Sequence, residues 1–268
     1  MPKFTVIIPA AGSSTRFGGT KSKLVSDLAG LPVITRAVLP FVAHPDVDYI
    51  LLPAPNDPYA MQSTAETTPK GLSIANLSHT GRANELWEAL KQSPAIANRL
   101  GGQIDFVPGG PTRAHSVKSA LRFVPDDCDF VAIHDAARPL VSRDLIDRTL
   151  AAAIEHGAAA PATPVNLTIK QSSQKLPAPV RQTLVRDQLW AMQTPQIVRR
   201  DALIRAFETC PLPLDQITDD LQLLELAGQE TWLIPGEESN IKITTAQDLL
   251  LAALLLQRTK FKDQRSLP

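Results

Sequence analysis

Cysteine, charge of one sign and long hydrophobic runs are all scarce in this chain, and each shortage removes a class of function. Two cysteines in 268 residues, Cys128 and Cys210, are too few and too far apart for a disulfide framework or a CxxC metal site. They read as reduced thiols of a cytoplasmic protein. Lys plus Arg and Asp plus Glu both number 27, which leaves no broad basic face for nucleic acid or anionic lipid. Basic groups at a site must therefore act locally. The longest apolar run, Leu249 to Leu256, is far below a membrane span, and the N-terminal stretch, with one lysine and a break at Pro9, falls short of a secretory signal. The two standard phosphate-loop fingerprints, GxGxxG and GxxxxGK[ST], are also missing from the first loop.

What is present is ample core material, 44% hydrophobic residues, and a single domain over 1–268 is expected. Proline, at 23 residues, is roughly twice its ordinary share, and its clusters at 53–58, 177–179 and 211–213 mark loops. The stretch that organises the rest is TVIIPAAGSSTRFGGTKSK, residues 5–23. Thr5 to Ile8 reads as a buried strand. After Pro9 the side chains shrink to Ala10, Ala11, Gly12, Ser13 and Ser14, so backbone N–H groups lie open to an anion. Arg16 and Lys23 add positive charge beside the loop, which a purely structural turn would not need, and phosphate binding becomes the expectation.

Strand, loop and helix then repeat. A helix is expected from Pro32, with Val33, Ile34, Ala37, Val38 and Phe41 on one face, and then a strand over 49–52: the start of a parallel α/β sheet flanked by helices. From 53 to about 102 the pattern weakens apart from a helix near 84–92, and the segment reads as an insertion or flap. A strand over 103–107 leads into PGGPTRAHS, residues 108–116, where Thr112 is placed to cap a helix that presents Arg113 and Ser116 on one face of its first turn.

The strand 129–134 delivers Asp135, Ala136, Ala137 and Arg138 to its C-terminal end, where open α/β sheets take their ligands. Asp135 there suits Mg²⁺, or a salt bridge to Arg138, and the two roles can coexist. His134 reads as a packed strand histidine. A helix over 143–156, capped by Ser142 and ended by Gly157, precedes a strand over 158–163. Residues 165–170 and 180–186 form two strand-like runs around QSSQKLPAP, too polar for a core, and are expected to project as a β-hairpin arm toward a partner. Asp219 and Asp220 are explained by helix-dipole bias in the first turn of a helix ending at Gly228. Thr245 and Asp248 form a capping-box start to the last helix, whose Leu-rich face is expected on the core. Lys242, between Ile241 and Ile243, points away from both, either as an exposed residue or as a second lysine for the same phosphates.

Together PAAGSSTRF, GGPTRAHS, HDAARP, the arm ending in VRDQLW, QTPQ and NIKIT resemble the 2-C-methyl-D-erythritol 4-phosphate cytidylyltransferase family. The resemblance implies a Rossmann-like nucleotidyltransferase that joins CTP to a polyol phosphate, methylerythritol phosphate, and releases diphosphate in non-mevalonate isoprenoid synthesis. By motif, Ala10, Ala11 and Gly12 would meet the nucleotide, with Gly110 and Ser116 reading the cytosine. Arg16, Lys23 and Lys242 would surround the triphosphate as the catalytic cations, and Asp135 would hold Mg²⁺ or another divalent cation beside Arg138. Asp135, Arg138, Thr168, Arg186 and Thr194 would hold the acceptor, Thr168 and Arg186 reaching across a homodimer on the arm. The chain departs from the family pattern at Ser22-Lys23-Leu24 and at Pro111. A ribitol 5-phosphate cytidylyltransferase shares most of these motifs, and a nucleotide-binding regulator without turnover is the alternative of another class.

Overall fold

The computed structural model describes residues 2–12, 22–55 and 81–265. The strand β1 (Phe4–Ile7) is followed by a small hairpin of β2 (Asp27–Leu28) and β3 (Leu31–Pro32), then α1 (Val33–Val42), β4 (Val47–Ala54), α2 (Gly81–Lys91) and α3 (Pro94–Ala97). Next come β5 (Ile104–Pro108), α4 (Arg113–Leu121), β6 (Phe130–Ile133), α5 (Arg143–His156) and β7 (Ala158–Pro164). The remainder runs through β8 (Lys170–Ser172), β9 (Val180–Thr183), β10 (Trp190–Met192), β11 (Gln196–Arg199), α6 (Arg200–Thr209), α7 (Asp220–Leu226), β12 (Trp232–Pro235) and α8 (Ala246–Arg265).

The centre of the sheet is parallel: β5, β4, β1 and β6 pair in that order. Beyond β6 the pairing turns mixed. β11 lies antiparallel between β6 and β7, while β10 runs antiparallel and β12 parallel to β7. Phe-Thr-Val-Ile in β1 and Phe-Val-Ala-Ile in β6 are buried at every position, as parallel strands covered on both faces require. The expected face of α1 is buried throughout, Val33, Ile34, Ala37, Val38 and Phe41 included. Each of the larger ones, Val33, Ile34, Val38 and Phe41, contributes about 1.5–3 kcal/mol by its burial. Among the described residues no helix is long and apolar enough to cross a membrane.

Caps fall where the sequence places them. Ser142 accepts from Leu145 N–H at the head of α5, and Gly157, at φ 89°, closes it. Thr112 accepts from His115 N–H at the head of α4. Asp248 Oδ2 accepts from the N–H groups of Thr244 and Thr245, which fixes the entry to α8. The Thr244 hydroxyl, donating to the same oxygen at 2.6 Å, and then those backbone bonds pull its carboxyl down to about 2.

At four segments the structure adds to the sequence reading or departs from it. The segment read as an insertion over 53–102 begins inside β4, and its helices α2 and α3 bury Leu86, Leu90 and Ile96 in the common core; residues 56–80 lie outside the described part. The arm strands sit later than the first apolar run, because Lys170–Ser172 rather than 165–170 pairs with Val180–Thr183. Around Lys242 the chain is not a strand; Ile243 N–H bonds to Ala137 O instead. The Leu-rich face of α8 covers the core only in part: Ala252 is buried while Leu250, Leu251 and Leu254 are exposed.

Candidate active site

The ends of β1, β5 and β6 meet at one rim of the sheet. Ala10 N–H continues the ladder to Pro53 O at 2.8 Å and Gly109 N–H bonds to Ala54 O at 2.8 Å, so these two donors are committed to the sheet. The N–H groups of Ala11 and Gly12 have no partner among the described residues, and they are the loop donors open to an anion. Gly12 O accepts from Arg82 Nη2 at 2.6 Å. A Cβ at Gly109 would lie 2.7 Å from Ala11 Cβ and 2.6 Å from Ala54 O, so glycine there lets the two loops touch. Ser116, buried, accepts from Gly110 N–H at 3.0 Å and donates to Thr112 O at 2.9 Å. The structure thus gives Gly110 and Ser116 to each other, as a brace of the loop.

Asp135 is the centre of charge. Its Oδ1 lies 3.3 Å from Arg113 Nε, and its Oδ2 lies 3.4 Å from Arg138 Nε and 2.9 Å from Lys242 Nζ. Burial alone would raise its pKa, but the charges of Arg113, Lys242 and Arg138 hold it well below the usual carboxylate range. The three cations differ in freedom. Arg138 also donates to Asn240 O at 2.7 Å and Met192 O at 3.0 Å, stitching two loops together. Arg113 is shared with Asp220, 2.6 Å from its Nη2, and the two carboxylates hold its pKa above its ordinary value although burial would lower it. Lys242, with 40% of its side chain exposed, is the cation able to turn. Lys23 joins the group by donating to Ile243 O at 2.8 Å. Asp135, Arg113, Arg138 and Lys242 border a cleft of about 270 Å³ that is also lined by Thr194, Gln196 and Asp219.

Behind Asp135 stands a buried relay. His134 Nε2 faces Arg138 O at 3.0 Å, an acceptor only, so Nε2 carries the proton. Nδ1 then accepts from the Thr194 hydroxyl at 3.0 Å, and that oxygen accepts from Asp135 N–H at 3.0 Å. Burial pushes the His134 imidazole down to about 4, so it is neutral near pH 7 and serves as a strut. Thr194, expected to hold the acceptor, spends its hydroxyl on this strut. Both glutamines of QTPQ act likewise: Gln193 exchanges bonds with the Glu237 backbone, and Gln196 bonds Asp219 and Asp220 N–H.

The structure therefore gathers Lys23, Lys242, Asp135, Arg138 and Thr194 and sets Ala11 and Gly12 on the same rim. It does not bring Thr168 or Arg186 there. Both are exposed on the arm, and among the described residues Arg186 reaches only Asn166 O and Asp187. Arg16 lies outside the described residues. Asp220 was missed by the sequence reading; its position in a first helical turn is fully explained by the dipole, and only its total burial marks it.

Mg²⁺ fits the donor set as a visitor rather than a resident. Among the described residues no group of three His, Cys, Asp or Glu side chains could cage a metal ion. Asp135 has about four lone-pair sites and three are engaged by the cations, which leaves one. Mg²⁺ commonly takes one or two carboxylate oxygens and completes its shell with waters and substrate phosphates.

The sequence profile of the 2-C-methyl-D-erythritol 4-phosphate cytidylyltransferases matches residues 4–75 and 86–258. A protein of that name from Streptomyces avermitilis is 36% identical over 265 residues, covering 96% of this chain and 93% of its own. A bifunctional IspD/IspF enzyme from Desulfotalea psychrophila is 35% identical; the match takes in 97% of this chain but 58% of that longer protein. Among solved structures, 4-diphosphocytidyl-2C-methyl-D-erythritol synthase from Anaerococcus prevotii superposes with a TM-score of 0.70 at 25% identity, covering 96% of this chain and 99% of its own.

Proposed function

The chain belongs to the 2-C-methyl-D-erythritol 4-phosphate cytidylyltransferase family, and we propose that it condenses CTP with 2-C-methyl-D-erythritol 4-phosphate to 4-diphosphocytidyl-2-C-methylerythritol and diphosphate, in non-mevalonate isoprenoid biosynthesis. The observation that carries the reading is the ring of cations around Asp135 on the rim that bears the Ala11 and Gly12 loop. The nucleophile is a phosphate monoester whose second pKa is about 6, so it is already largely dianionic at neutral pH. A general base is unnecessary, in keeping with a His134 that is neutral and enclosed.

An oxygen of the acceptor phosphate forms a bond to the α-phosphorus of CTP while the bond from that phosphorus to the bridging oxygen breaks, and diphosphate leaves with the electron pair. Repulsion between two anions is the barrier, and catalysis is positioning and neutralisation. The N–H groups of Ala11 and Gly12, without a partner among the described residues, receive a phosphate of the nucleotide. Lys23 and the part-exposed Lys242 spread positive charge over the triphosphate, with Arg16, outside the described residues, as a third cation. Arg138 keeps Asp135 in place. Asp135 is the residue that would hold Mg²⁺, and the metal would supply further neutralisation of the phosphate charge.

The arm supplies the acceptor side. Thr168 and Arg186 are exposed and away from the cleft of their own chain, so they serve the site of a second copy in a homodimer. A diphosphate-release assay with Mg²⁺ and CTP tests the activity. Turnover with methylerythritol phosphate and none with ribitol 5-phosphate is expected; release only with ribitol 5-phosphate, or CTP binding without release, overturns the reading.

A further inference from the structure

Asp220 is fully buried, and Arg113 is the one partner of its carboxylate among the described residues. That is not how a carboxylate serving a helix dipole is placed. Asp144 and Asp201, also in first helical turns, stand in water at 74% and 48% exposure. A buried acid with a single partner costs stability, and a role for that partner elsewhere would account for its being kept. Arg113 has such a role, because its second edge, Nε, reaches Asp135 Oδ1. Gln196 holds Asp220 N–H at 2.8 Å, so the far end of this bridge is pinned to the strand beside the cleft.

The chain of contacts is Asp220 to Arg113 to Asp135 to Lys242, running from a fully buried carboxylate through two side chains at the cleft wall to the more exposed lysine. Arginine's planar fork can serve two carboxylates at once in fixed directions. Anchored by Asp220, it offers only Nε to Asp135, so Oδ2 stays turned toward Lys242. Released, it would close on Asp135 with both edges and rotate that carboxylate away from the lysine.

Resting on the proposed role of Lys242 at the triphosphate, we propose that Asp220 is a positioning residue that aims Lys242 through Arg113 and Asp135. The test is a double-mutant cycle between Asp220→Asn and Lys242→Ala, read as kcat and as KM for CTP. Asp220→Asn alone is expected to lower kcat about tenfold or more, the scale of a misplaced catalytic group, with KM for CTP nearly unchanged. In the Lys242→Ala background the same change is expected to cost less than about twofold, within the scatter of independent sites. An equal factor in both backgrounds, or a change confined to KM, overturns the inference. Arg113→Lys keeps the charge but loses the fork, and is read in the same cycle should Asp220→Asn fail to give a cooperative melt. A Lys242→Ala chain with unchanged kcat would instead overturn the proposed role of that lysine.

Discussion

The rim around Asp135 and the arm that leaves β7 are built on opposite terms. On the rim almost every polar group has a partner from a distant part of the same chain: Lys23 with Ile243, Arg113 with Asp220, Arg138 with Asn240 and Met192, Thr194 with His134. On the arm, the pair β8 and β9 forms a sheet of its own, and Leu167 and Leu176 stand 74% and 82% exposed. A lone two-stranded hairpin is marginal in water. The difference teaches that the rim around Asp135 is braced by bonds within one chain, whereas the arm carries apolar side chains that the described residues do not cover.

Breaking the rim at its centre has the largest effect. Asp135→Asn leaves Arg113, Arg138 and Lys242 without their shared counter-charge, and removing one partner from a buried charged network costs about 3–5 kcal/mol. Urea melts should show that loss together with the disappearance of turnover. A variant as stable as the parent would mean the three cations are held by something other than Asp135. Lys242→Ala comes next. It removes the exposed cation alone, so kcat is expected to fall by about 10²–10³, the scale of one lost donor to a developing charge, while the melting temperature stays within a degree or two of the parent.

Acid should separate the two regions without any substitution. His134 is pushed down to about 4 in the folded chain and takes up a proton at about 6.5 when unfolded. Between those values the unfolded state binds more protons, so stability falls as pH drops, by on the order of 3 kcal/mol from pH 7 to pH 4. Asp135, also held low, keeps its contribution until stronger acid. Urea melts at pH 7, 6, 5 and 4 measure the slope, and His134→Asn should flatten it. A slope that survives this change would place the proton-linked group away from the rim.

Much of this contrast was legible in the sequence, and the part that was not has a physical reason. Continuous apolar runs gave β1, β4, β5 and β6, because parallel strands buried on both faces leave no alternation to misread. Ser142, Thr112 and Gly157 gave the ends of α4 and α5 through local bonds of three or four residues. The struts were hidden, since Thr194 meets His134 across 60 positions and Arg113 meets Asp220 across more than a hundred, and no local pattern encodes such a meeting. Asp220 was hidden twice over, since a first-turn acid needs no further explanation. The periodicity of the segment at 53–102 is weak because its helix α2 carries a polar face, although Leu86, Ala89 and Leu90 are buried.

The arm yields the smallest single effect and the sharpest test of the comparison. Arg186→Ala should raise KM for the polyol phosphate about tenfold, the value of one charge-assisted contact, and leave KM for CTP alone. If each arm serves its partner's site, the defect lies in a different chain from the one whose cations it accompanies. Mixing Arg186→Ala with Lys242→Ala chains and letting them exchange then creates, in each mixed dimer, one site with both residues intact and one with neither. Half the dimers of an equal mixture are mixed, so activity at low acceptor should return to about a quarter of the parent value under two-fold symmetry. Activity that stays at the sum of the separate variants would mean that the arm folds back on its own cleft, and that the acceptor half is as self-contained as the rim.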